Sequence, residues 1–135
     1  MYPKILFSIL LSMQLLQAGE YAIISNKSIR TLSKSQIKAI YLKKLTIIDD
    51  KKIIPINLDS RNILREKFNK EFLHISLTKL KTYWIKQHYL GHRPPLSFKS
   101  QKSVKKFIEQ VDASIGYIEL KNINKNLSIV YKWSD

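Results

Sequence analysis

An α/β layer domain is the fold class this sequence predicts, and three observations predict it. Short, β-branched apolar runs occur at residues 21–25 (YAIIS), 53–58 (IIPINL) and 127–133 (LSIVYKW). Between them lie segments whose apolar residues recur at helical rather than alternating spacing. No internal repeat or low-complexity linker divides the chain. The resulting order, β-α-β-α-α-α-β-β, places helices between strands and calls for a sheet covered by helices.

The strand at 21–25 ends in the polar turn Asn26-Lys27-Ser28. A helix over 31–44 follows, with Ser33 as N-cap, Gln36 closing a capping box, and Leu32 stapled to Ile37. Ile37, Ile40 and Tyr41 form its buried face. Residues 45–48 read as a short extended segment and Asp49-Asp50-Lys51-Lys52 as a polar turn. Pro55 gives no N–H to a ladder, so the second strand belongs at a sheet edge or has Pro55 near its start. The second helix starts near Ser60 and runs to about residue 73, with Ile63, Leu64, Phe68 and Phe72 at helical spacing. The third spans 76–90, capped by Ser76. Its stripe is Leu77, Leu80, Trp84 and His88, broadened by Ile85, with Trp84 in the core. Gly91 and Pro94-Pro95 end it. Residues 92–100 read as a loop and 103–111 as a fourth helix, with Val104, Phe107, Ile108 and Val111 inward. Lys102, Lys105 and Lys106 form its solvated face. Residues 113–120 (ASIGYIEL) read as a turn and a strand with Tyr117 in the core.

Residues 1–18 read as a signal peptide: Lys4 supplies the charged end, 5–16 the apolar run, and Gln17-Ala18-Gly19 the small-residue cleavage point. A retained signal anchor is the alternative. The expected mature unit is a single domain, 19–135, exported to the periplasm or secreted. The chain has no cysteine, which excludes disulfides, thiolate metal sites and a cysteine nucleophile. Its formal net charge is +14, or +13 without Lys4. With 20 lysines against only 4 arginines, the charge suits general attraction to anions better than the forked base contacts of a nucleic-acid reader. An exported chain also has no nucleic-acid partner to expect.

The segment DSRNILREKF, 59–68, holds the candidate site. A helix start carries unpaired N–H groups and partial positive charge, so it suits an anion. Ser60, Arg61, Asn62 and Arg65 cluster there, and cations at that end of a helix oppose its dipole unless an anion or acidic partner is present. The alternative is that Arg61 and Arg65 are solvated and paired with Glu66. Arg65 would act as a forked donor, Arg61 would add attraction, and Ser60 and Asn62 would be neutral donors. No Ser-His-acid elbow, P-loop, dinucleotide glycine motif or metal-ligand cluster is recognisable, so a non-catalytic chain without a cofactor is expected.

Four stretches resemble phosphate-type substrate-binding proteins of ABC transporters, within the periplasmic-binding-protein-like superfamily. The opening strand and capped helix, YAIISNKSIRTLSKSQIKAIYLKK, are similar to that family's strand-turn-helix pattern. Leu64 to Phe68 (LREKF) resembles the tail of its S-G-T-R-x-x-F signature, with Arg65 and Phe68 in the matching places. Tyr83-Trp84 followed by YLGHRPP (89–95) resembles small stand-alone members, and SIGYI (114–118) the family's G-A-I-G-Y-V strand. The sequence departs from the family at S-G-T, which aligns with Asn62-Ile63-Leu64, and in length, which suffices for one of the usual two lobes. The resemblance implies a single type II lobe, a central mixed sheet flanked by about four helices. It also implies a small anion such as phosphate as ligand and a membrane permease or sensor as partner. A protein-interaction or sensory module that docks on a membrane receptor, with solute binding lost, is the alternative.

Overall fold

Residues 19–27 and 29–135 are described by the computed structural model; the signal segment expected over 1–18, and Ser28, lie outside the described residues. Strand β1 (Glu20–Ser25) leads to α1 (Lys34–Tyr41), and the hairpin β2 (Ile47–Ile48) and β3 (Lys51–Lys52) to β4 (Ile54–Leu58). Then come α2 (Ile63–Phe68) with a π-helical turn (Asn69–Leu73), α3 (Leu77–Tyr89), β5 (Leu96–Phe98), α4 (Gln101–Gln110), β6 (Ser114–Glu119) and β7 (Ser128–Ser134). A five-stranded mixed sheet has the order β5-β4-β6-β1-β7. β4 is parallel to β5 and β6, while β1 is antiparallel to β6 and β7.

Local chemistry accounts for most element ends. Ser33 Oγ accepts from the Gln36 N–H and Gln36 Oε1 from the Ser33 N–H, so the expected capping box forms. Ser76 Oγ accepts from the Lys79 N–H as expected. Asp49 and Asp50 both take positive φ, as a two-residue hairpin turn requires, so Lys51 and Lys52 pair with Ile47 and Ile48 rather than forming the turn. Pro55 lies near the start of an interior strand. Its nitrogen faces β5, whose pairing with β4 begins one residue later at Ile56, so no ladder bond is lost.

Successive residues of β6 point to opposite faces and define the two layers. Gly116 faces α4, where Val104 and Ile108 are fully buried. Tyr117 faces α1 and α2, its ring stacked on Phe68 at 4.2 Å between centroids. From there aromatic contacts run through Tyr41, Phe72, Trp133 and Tyr21. The β4–β6 ladder is registered only at Ile54 and Pro55, after which β4 turns to side chains. Tyr41 Oη donates to the Ile56 carbonyl (2.8 Å), and Tyr117 Oη accepts from the Leu58 N–H (3.1 Å) while donating to Asn57 Oδ1. Burial pushes both phenol pKa values up, keeping them neutral.

Four expectations change. The loop expected over 92–100 contains β5, and the fourth helix begins at Gln101 on the cap Ser100. α1 is shorter at both ends than 31–44. The expected stripe of α3 is mostly outside the core: only Leu80 is buried, Trp84 is half-buried, and Leu77 and Ile85 are exposed. α3 reaches the body through Leu80 and through Tyr83, whose Oη donates to the Leu42 carbonyl (2.5 Å). That leaves most of its apolar stripe without a sheet beneath it.

Two substitutions test this packing by chemical denaturation. A methyl group at Gly116 would lie 2.7 Å from Ile108 Cδ1 and from Val104 Cγ1, so Gly116→Ala is expected to lose about 1–3 kcal/mol to overpacking. Tyr117→Phe leaves the buried Leu58 N–H without its acceptor and is expected to cost about 1–3 kcal/mol. An unchanged midpoint in either variant would contradict the packing described.

Candidate anion-binding site

The turn from β4 into α2 is held largely by its own atoms. Asp59 Oδ1 accepts from the Ser60 N–H (2.9 Å), and the Asp59 carbonyl from the Asn62 N–H (2.9 Å). Asn62 Oδ1 accepts from the Leu64 N–H (2.9 Å), and the Asn62 carbonyl from the N–H groups of Arg65 (3.1 Å) and Glu66 (3.3 Å). The helix therefore starts after Asn62, its N-cap, and not near Ser60 as the sequence suggests. Ser60 and Arg61 are in the preceding turn. Most N–H groups that an anion would use are already taken. The signal was present, since Asn is among the favoured N-caps.

Arg65 is placed differently. Its Nη1 donates to the Leu58 carbonyl (3.0 Å), which holds the guanidinium at the carboxyl end of β4 beside Tyr117. A guanidinium carries five N–H groups, so donors remain for a ligand. The described ion pairs do not join Arg61 or Arg65 to Glu66.

The four residues do not converge on one point. Arg61 and Asn62 line a hollow of about 590 Å³ with Tyr21, Lys67, Gln101 and Glu119. It lies at the carboxyl ends of β4 and β6, where the strand order reverses and α/β sheets commonly bind ligands. Its charge is mixed. Gln101 and then Lys121 hold the Glu119 carboxyl below its usual range, so it stays ionised. Lys67 is bonded to Asp135 and to Tyr21 Oη. Ser60 and Arg65 line a second hollow, of about 610 Å³, with Glu66, Asn69 and His74. The Asn69 amide oxygen is buried without a partner among the described residues, and an acceptor there invites a donor rather than an anion. Arg65 also lines a third cleft, of about 560 Å³, between α3 and β5, with Asn57, Lys81, Trp84, His88, Tyr89, Pro94, Pro95 and Ser97.

Three solved structures share this architecture. One is a phosphate ABC transporter substrate-binding protein with bound phosphate from Clostridium perfringens, with TM-score 0.66 and 20% identity over 84% of this chain and 44% of that one. Another is an ABC-type phosphate transport receptor from Vibrio cholerae, with TM-score 0.64 and 16% identity over 84% of this chain and 45% of that one. The third is PstS from Borrelia burgdorferi, with TM-score 0.62 and 20% identity over 84% of this chain and 47% of that one. This is a periplasmic-binding-protein-like fold. The chain spans less than half the length of each neighbour. No protein-family model matches the sequence, and no curated protein matches it at a significant level.

In this periplasmic-binding-protein-like lobe, sequence reasoning singled out Arg65 but missed Asn57, Lys81, Trp84 and His88 as its neighbours in a cleft. Spacing alone carries no sign of them, because they meet only when α3 folds back beside β5. The lobe is also tied at the edge of its first hollow. Asp135 accepts from Lys67, from Tyr21 Oη (2.9 Å) and from the Gly19 N–H (2.8 Å). Lys67 first, then Tyr21, holds its carboxyl down to about 2 from an ordinary 3.8. A pKa depressed on folding stabilises the folded state above the unfolded value, and that contribution disappears as pH falls through the folded value. Asp135→Asn should therefore be less stable than the parent at neutral pH, with the difference shrinking below about pH 4 and gone near about pH 2. Urea midpoints across that range measure it; a difference independent of pH would contradict the ionic account.

Proposed function

We propose that this chain is an exported, non-catalytic binding module that recognises a small anion, such as phosphate, or an anionic group on a partner. Arg65 is its principal contact. The observation that carries the reading is the fixed guanidinium at the carboxyl end of β4, within a fold that the phosphate-type neighbours share. Arg61 adds attraction from the turn, and the Ser60 hydroxyl is a neutral donor beside Arg65. Asn62 lines a separate hollow with Arg61, where its amide nitrogen would be the donor, since its oxygen holds the cap. The signal-like segment at 1–18 supports export, and a membrane permease or sensor is the partner that fits such a module.

The exposed apolar face of α3, with Leu77, Ile85, Tyr89 and Leu90, favours a second reading: a module that docks on a membrane receptor and binds no free solute. Thermal unfolding of the purified protein against phosphate, sulfate and carboxylates, with chloride matched for ionic strength, separates the two. A saturable rise in midpoint is expected for an anion, with at least about tenfold weaker binding in Arg65→Ala, the loss expected from a charge-assisted hydrogen bond. No shift beyond the chloride control would favour docking. Undiminished binding by Arg65→Ala would remove Arg65 from the site.

A further inference from the structure

We infer that the cleft between α3 and β5 takes an organic anion with a flat apolar body, held by its charged end at Arg65 and by its body against Trp84 and Tyr89. This rests on the reading of Arg65 as an anion contact and names the class of ligand.

Charge is the first argument. Three other hollows contain carboxylates: Glu119 in one, Glu66 in another, and Glu66, Glu71 and Asp135 in a third. The α3–β5 cleft has none. It combines Arg65 and Lys81 with the ring nitrogens of His88 and the polar side chains of Asn57 and Ser97. An anion entering it meets cations without a competing carboxylate on the walls.

Shape is the second argument. The cleft, at about 560 Å³, lies within the range of pockets that hold small organic molecules, which are mainly apolar with a few placed polar groups. Its lining includes the buried Leu73, Leu80 and Tyr41, with Trp84, Ile85 and Tyr89 from α3 and Pro94 and Pro95 from the segment before β5. Tyr83 hooks α3 to the end of α1 through the Leu42 carbonyl and packs edge-on to Trp84 at 5.0 Å. Pro94-Pro95 stiffens the segment before β5. Tyr89 is 84% exposed and Trp84 half-buried, so both rings offer surface to a ligand. A bare phosphate would leave that aromatic surface in water; a flat body would cover it.

Inorganic phosphate, phenyl phosphate and phenol, titrated against the parent, Trp84→Ala, Tyr89→Ala and Arg65→Ala, test the inference. Phenyl phosphate is expected to bind roughly threefold to tenfold more tightly than phosphate, the gain from one aromatic contact. Trp84→Ala or Tyr89→Ala should remove that advantage, so that the two anions bind alike, while Arg65→Ala weakens both anions. Tyr89 is exposed, so its variant keeps the test usable if Trp84→Ala unfolds the protein. Equal binding of phosphate and phenyl phosphate, both weakened by Arg65→Ala, would overturn the inference and leave the anion reading standing. Binding of phenol as tight as that of phenyl phosphate would overturn it by removing the role of the cations. Binding of none of the three would overturn both.

Discussion

Beyond Pro55 the register of β4 on β6 ends, and the backbone groups that would have crossed between them turn to two tyrosines. Tyr41 reaches the Ile56 carbonyl from α1, and Tyr117 takes the Leu58 N–H while giving its own proton to Asn57. A buried peptide group without a partner costs more than a typical hydrogen bond contributes, so both hydroxyls are needed where they stand. Their rings then demand apolar cover, and Phe68 supplies it by packing against both. The opening of the sheet, the packing of α2 and the position of the loop after β4 all depend on this group.

The position of Arg65 follows from it. Because Phe68 is fixed over Tyr117, Arg65, one turn earlier on α2, lies over the end of β4, and its guanidinium can reach the Leu58 carbonyl. The same turn of chain that positions Arg65 closes off the helix N-terminus, since Asp59 and Asn62 use its donors internally. An anion therefore has more to gain from the arginine side chain than from the helix end. The surroundings of Arg65 on the α3 side are aromatic and free of carboxylates.

Caps were legible at Ser33 and Ser76 because a hydroxyl three residues before an unpaired N–H is a local arrangement. β5 was not legible: it is three residues, LSF, after two prolines, and its pairing partner lies far away in sequence. The outward face of α3 was misread for a related reason. A stripe of apolar residues shows that a helix has a greasy side, not that the sheet extends far enough to cover it.

The sequence by itself determined the order of most elements, the caps at Ser33 and Ser76, and the burial of Tyr117. These depend on spacing and on the chemistry of neighbouring residues, which short-range sterics and hydrogen bonding control. Tertiary structure alone decided that Pro55 could enter an interior strand, that Asn62 and Asp59 satisfy the helix start, and that Arg65 turns to Leu58. It also brought Lys81, Trp84 and His88 to the cleft that Arg65 shares. Those outcomes depend on where separate elements stop pairing and which surfaces remain uncovered, and a linear pattern carries no measure of either.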